Sequence, residues 1–152
     1  MVFALVSAFI FMVIAYMMPK RISYVEMYST TLFCTVFQLI VDIILEFKYG
    51  LYGYFGLGVD YHTFIFIFLI YPPLNIIFLN YFPIRGNILF KSMYIVAWII
   101  FAIVYEYLCV QAGAFYYENW NLWYSAIIYP FVYLLIILNF LFIRRLLLLY
   151  NK

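Results

Sequence analysis

The sequence predicts an all-α membrane bundle of five helices, and three observations predict it. Of the 152 residues, 71% are hydrophobic, 26% aromatic and 9% charged. An ordinary soluble domain is nearer half apolar and a quarter charged, and so small a chain has too much surface to hide this excess from water. Next, five apolar stretches approach the roughly 20 helical residues that cross a hydrocarbon core about 30 Å thick. Finally, the basic residues gather in one alternate set of loops, as they do on the cytoplasmic side of membrane proteins. Together these exclude a soluble enzyme, a disordered tail and a nucleic-acid binder. The net charge of +2 is too small to imply a polyanionic partner.

The first expected span covers 1–18, carries no charge and ends at Pro19-Lys20-Arg21. No basic residue precedes it and no small-x-small site follows, so it reads as an anchor rather than a cleaved signal. The second covers 27–47 and is apolar until Asp42 and Glu46. The third, 61–82, has only His62 near its start. The fourth, 92–114, contains one acid, Glu106, and the fifth, 121–143, stops at Arg144-Arg145. Short loops and tails make up the rest of a single transmembrane domain over 1–152. The runs are continuous, as in Ile65 to Ile70 and Leu134 to Asn139. Barrel strands would alternate, so the backbone must satisfy itself within helices.

Charge then orients the chain. With the amino end outside, the inner loops and tail hold Lys20, Arg21, Arg85, Lys91, Arg144, Arg145 and Lys152, and the outer side holds Lys48. This bias predicts the carboxyl end in the cytoplasm. Glu26 falls inside; Asp60 and Glu118 fall in outer loops. Tyr49, Tyr52, Tyr54, Tyr61, Tyr116, Tyr117, Trp120, Trp123 and Tyr124 crowd the outer interface, and Tyr24, Tyr28, Tyr81, Phe82 and Tyr94 flank the inner one. Rings with polar tips at headgroup depth explain most of the aromatic excess without a ligand.

The polar residues inside spans carry the functional expectation. A carboxylate at mid-bilayer costs about 2.5–3.5 kcal/mol on insertion scales, so it usually faces a bundle interior or a watery cavity. Asp42 and Glu46 share a helix face at i, i+4. Counting from Tyr28 and Met93, Asp42 and Glu106 both lie roughly 20 Å above the inner edge. The expectation is one outer-half polar pocket of Asp42, Glu46, His62 and Glu106. The plainer alternatives are hydration of Glu46 beside Lys48, His62 at the interface, and Glu106 bonding a nearby Tyr or Trp. Such a pocket could bind a cation, relay protons or hold a hydrolytic metal, and its carboxylates and imidazole would suit Zn²⁺, Mn²⁺ or Ca²⁺, but the spacing is no recognised metal signature, with no HExxH and no paired CxxC. Pro72-Pro73 should kink or break the third span, either to line a site or as a packing kink. Pro130 invites the same two readings in the fifth.

Gly50, Gly53, Gly56 and Gly58 lack the strand and spacing of a nucleotide loop, and read as a compact outer turn. Ser23, Ser29 and Ser125 have no Asp-His pair beside them. Cys34 and Cys109 differ by roughly 15 Å in depth along their helices, too far for a disulfide.

The chain resembles an uncharacterised family of small multi-pass membrane proteins of endospore-forming Firmicutes (Bacillus and Clostridium type). The resemblance rests on Asp42, Lys48-Tyr49, Tyr52-Gly53-Tyr54-Phe55, Gly58-Val59-Asp60-Tyr61 and Tyr71-Pro72-Pro73. It continues through Leu79 to Pro83, Tyr105-Glu106-Tyr107, Tyr117 to Trp120, Trp123-Tyr124-Ser125 and Tyr129-Pro130. It implies a bacterial cytoplasmic membrane and no assigned reaction. The leading expectation is an accessory or interaction subunit, with the lipid bilayer, a membrane-protein partner or further copies of the chain as partners. The alternatives are a small proton- or cation-coupled transporter, with Asp42 and Glu106 on one cavity by the Pro72 kink, and an intramembrane enzyme acting on lipid or isoprenoid, which needs His62 there as well.

Overall fold

The computed structural model describes residues 1–56 and 61–150; Gly58, Asp60 and Lys152 lie outside the described residues. The chain is all-helical in class, 77% helix in five helices. They are α1 (Val2–Met17), α2 (Tyr24–Asp42, continued as a π-helical turn Ile43–Lys48), α3 (Tyr71–Tyr81, entered through a π-helical segment Ile65–Ile70), α4 (Ile88–Gln111) and α5 (Leu122–Tyr150). Three are long and apolar enough to cross a membrane: Tyr24–Lys48, Ile88–Gln111 and Leu122–Tyr150. Val2–Met17 and Ile65–Tyr81 are shorter apolar helices.

The helix ends follow local chemistry and differ from the apolar runs. Ser23 caps α2 with a full capping box: its Oγ accepts from the Glu26 amide, and the Glu26 carboxylate accepts from the Ser23 amide. This satisfies two amides that a helix start leaves unpaired and begins α2 three residues before the apolar run. Asn87 caps α4 through the Phe90 amide at 3.0 Å, which takes Lys91 into the helix. α5 does not stop at Arg144-Arg145 but runs on to Tyr150. Charge marks where a membrane face is expected, not where a helix must end, and arginine is a good helix former. Arg144 lies 3.7 Å from the Glu26 carboxylate and over the Phe140 ring.

The two proline sites behave differently. Pro72 and Pro73 stand in the first turn of α3, where a missing N–H removes little. The preceding segment is wound as a π-helix, with the Tyr71 amide bonding back to the Phe66 carbonyl. The third span therefore changes its winding at the proline pair. Around Pro130, α5 is continuous, so no break occurs there.

A two-stranded antiparallel sheet, absent from the sequence expectation, joins the loops that follow α2 and α4. β1 (Tyr52–Tyr54) pairs with β2 (Phe115–Tyr117), Tyr52 opposite Tyr117 and Tyr54 opposite Phe115. Two glycines with positive φ make the turns into it. Gly113 follows α4 at φ +65, with its amide on Val110 and the Ala114 amide on Cys109. That double closure is a Schellman motif, which needs a left-handed residue after the helix. Gly50, at φ +58, turns the chain after the wider π-helical turn of α2, with its amide on Glu46 and Leu51 reaching back to Leu45.

Packing closes a ring of helices. α2 lies between α3 and α5, α4 lies on α5, and α1 lies on the third helix. Phe3 of α1 stacks on Tyr105 of α4, and Phe11 meets Tyr105 and Phe101 edge-on. Ala4, Ser7 and Ala8 form the buried face of α1; small residues four apart let helix backbones approach closely. Outward faces stay apolar and exposed, as at Phe9, Ile100, Phe131 and Phe142. Contiguous apolar surface of this kind marks a face that meets lipid or protein. At the end opposite the sheet, Asn80 ties the turns together, accepting from the Arg21 amide at 2.7 Å and donating to the Pro19 carbonyl at 3.0 Å.

Candidate functional site

A cavity of about 330 Å³ lies inside the bundle, walled by α2, α3, α4 and α5. Tyr52, Tyr54, Phe115 and Trp120 at the sheet end roof it. Phe78 lines the other end, where its ring meets those of Tyr94, Trp98 and Tyr133. Most of the lining is aromatic or aliphatic; among the described residues Gln38, Asn75, Ser125 and Glu106 are its non-aromatic polar groups apart from the thiols of Cys34 and Cys109.

Glu106 faces this cavity from α4 and is 8% exposed. Tyr117 and Ser125 donate to its Oε1 at 2.5 and 2.6 Å, and Tyr129 donates to Oε2. Trp120 in turn donates to Ser125 at 2.8 Å. Residues of the strand, the following loop and α5 thus converge on one carboxyl. A carboxylate has about four acceptor positions, so three donors leave one, on Oε2. No ion pair to Glu106 occurs among the described residues.

Asp42 stands across the roof at the end of α2 and is 2% exposed. Its Oδ1 accepts from Gln38 at 2.8 Å, Tyr52 at 2.9 Å and Tyr54 at 3.4 Å. Asp42 does not itself line the cavity, but those three donors do. The Tyr54 hydroxyl also meets that of Tyr71 at 3.0 Å, next to Pro72. Burial, and then Asp42, pushes the Tyr52 phenol above its ordinary range. For Tyr117 the causes are burial and then its bond to Glu106.

The other two candidates lie apart. Glu46 is buried in the π-helical turn, and neither of its carboxylate oxygens has a hydrogen-bond partner among the described residues. It is not paired with Lys48, whose ammonium sits over the Tyr49 ring. His62 is exposed at the start of the third helix, with its ring 5.8 Å from that of Phe55. Neither lines the cavity. Among the described residues no group of three His, Cys, Asp or Glu side chains could hold a metal ion. Cys34 and Cys109 are free thiols. Cys34 contacts Asn75 at 3.2 Å, so Asn75 joins α2 to α3.

The hydroxyls that hold the acids are where sequence reasoning fell short. Tyr52, Tyr54 and Tyr117 belong by position to the outer aromatic belt, yet Tyr52 and Tyr54 are buried and all three hydroxyls turn inward to carboxylates. One signal existed: Tyr-x-Tyr and Phe-x-Tyr alternate among glycines, a strand pattern. Gln38, four residues before Asp42, shares its helix face. Tyr71, Ser125 and Tyr129 gave no local signal. The chain matches no family model, no curated protein and no solved structure.

Proposed function

We propose that the chain is a multi-pass protein of a bacterial cytoplasmic membrane, with five helices crossing, the amino end outside and the carboxyl end in the cytoplasm. In this reading it is a small binding or accessory subunit that holds a small molecule inside the helix ring, near the outer face. The observation that carries the reading is the cavity of about 330 Å³ with Glu106 held by three hydroxyls on its wall. Small-molecule sites are largely apolar, preformed and marked by a few convergent polar groups, in volumes from about 300 Å³ upward.

The crossing number draws on the same physics. α1 and the Ile65–Tyr81 helix would span roughly 24 and 26 Å at 1.5 Å per residue. A bilayer accommodates a span a few Å short of its core at modest cost. Loops joined by the sheet, with Lys48 at the end of α2, would face outside. The Asn80-linked turns would face the cytoplasm with Lys20, Arg21 and Arg85.

A transporter coupled to protons or cations is the second reading. It is favoured by the hydroxyl path from Asp42 through Tyr54 to Tyr71, which reaches the cavity that Glu106 lines. The enzyme alternative gains no such support, because His62 is off the cavity wall.

Two experiments test the proposal. A reporter fused after Tyr150 should be active only when its fused domain works in the cytoplasm; activity only outside the cell overturns the orientation. Native mass spectrometry of protein released from nanodiscs should show a bound small molecule. Ala102→Phe and Val132→Trp, which fill the cavity, should lose it while keeping the wild-type melting temperature. Equal retention in both filled variants overturns the site.

A further inference from the structure

We infer that the cavity selects a small organic cation, an ammonium centre carrying apolar or aromatic substituents. This rests on the reading of the cavity as a binding site. Three features of the wall carry it.

The charge pattern comes first. Among the described residues Glu106 is the sole Asp or Glu on the wall, and no Lys, Arg or His lines it. An anion there would meet a carboxyl and no compensating charge. The hydroxyls of Tyr117, Ser125 and Tyr129, which could serve an anion as donors, are already committed to Glu106.

The second feature is the aromatic lining. Trp98, Phe101, Tyr105, Phe115, Trp120 and Tyr129 all line the space. The negative face of an aromatic ring attracts a cation, and tryptophan does so best. Rings from α4, α5 and the sheet end enclose one volume, so a single cationic centre can meet several of them. Glu106 is on the same wall, and its Oε2 accepts from Tyr129 alone of the three hydroxyls.

Size and dryness come third. A bare metal ion needs a shell of oxygen ligands, and this wall offers it one carboxyl among hydrocarbon. An organic cation brings its own apolar shell, which matches the lining. A neutral apolar molecule would fill the space too, but it would be indifferent to Glu106.

The test compares three probes of similar size on the whole protein in nanodiscs: benzyltrimethylammonium, its uncharged carbon isostere neopentylbenzene, and benzenesulfonate. The readout is tryptophan fluorescence in a Trp123→Phe background, because Trp123 is exposed and off the wall while Trp98 and Trp120 line it. The expected result is saturable binding of the cation, at least tenfold tighter than the isostere, with no binding of the sulfonate. Glu106→Gln should weaken the cation at least tenfold and leave the isostere unchanged. Should that variant fail to fold, the comparison of cation with isostere on the parent protein decides alone. Equal binding of cation and isostere overturns the cation inference and leaves the cavity reading standing. Preferred binding of the sulfonate overturns the inference as well. If none of the three binds, the cavity reading falls with it.

Discussion

The hydroxyls of Tyr54 and Tyr71 lie 3.0 Å apart, and they join the sheet at one end of the bundle to the first turn after the π-helical segment. Tyr54 is 1% exposed and also reaches Asp42. Tyr54→Phe and Tyr71→Phe should each destabilise the protein by about 0.5–1.5 kcal/mol, the net worth of a hydrogen bond. The double variant should cost less than the sum, with a coupling of about 0.5–1 kcal/mol, as expected for residues in contact. Denaturant or thermal unfolding in detergent measures the cycle; strict additivity would show that the two hydroxyls do not interact.

Gly53 tests the sheet. A Cβ there would run into the Tyr116 ring, which lies across it from the opposing strand and whose hydroxyl bonds the Gly56 carbonyl at 3.2 Å. An aromatic side chain covering a cross-strand glycine is a known means of fixing register. Gly53→Ala should displace the ring, break the bond to Gly56 and cost about 1 kcal/mol. In a Tyr116→Ala background the same change should be close to neutral. Melting temperatures of the four proteins decide it.

The small face of α1 should tolerate no growth. Ala4 and Ala8 are fully buried among the residues around Ile70. Ala4→Leu or Ala8→Leu should cost about 1–3 kcal/mol by overpacking, whereas Val6→Leu, on the exposed face, should be near neutral. A melt that left Ala8→Leu unchanged would mean that α1 does not pack as described.

The sheet-end phenols should protect the fold up to high pH. Burial comes first, followed by the nearby carboxyls, in holding Tyr52 and Tyr117 above the ordinary phenol value, which is near 10. In the unfolded chain they would ionise near 10 and in the folded chain later. Their contribution is therefore fully present below about pH 10 and is lost as pH rises beyond it. Absorbance at 295 nm, followed together with unfolding, should show these phenols ionising only as the protein unfolds. Tyr52→Phe and Tyr117→Phe should each reduce the steepness of the alkaline loss.

Filling of the cavity separates folding from binding. Ala102→Phe puts a ring into space that is empty of side chains, so its main effect should fall on ligand retention. Glu106→Gln keeps the size of the group but changes its bonding with Tyr117, Ser125 and Tyr129. It should lower stability by about 1–3 kcal/mol, the range for disturbing a buried polar group, measured by thermal unfolding.

Much of the architecture could be read from residue order alone. Helical class follows because uninterrupted apolar runs leave the backbone no partner but itself. Pro72-Pro73 punctuates the third helix, whose winding changes there from π to α. Helix ends were less legible, since Ser23 and Asn87 cap through one or two local hydrogen bonds and α5 carries Arg144 and Arg145 within it. What only the tertiary structure decided is which groups meet. Tyr117, Ser125 and Tyr129 reach Glu106 across 11 to 23 positions, and β1 finds β2 across more than sixty. Such pairings depend on helix rotation and on how the ring of helices closes. No local periodicity encodes either, so the same tyrosines that read as membrane-interface anchors became the inward-facing ligands of two buried acids.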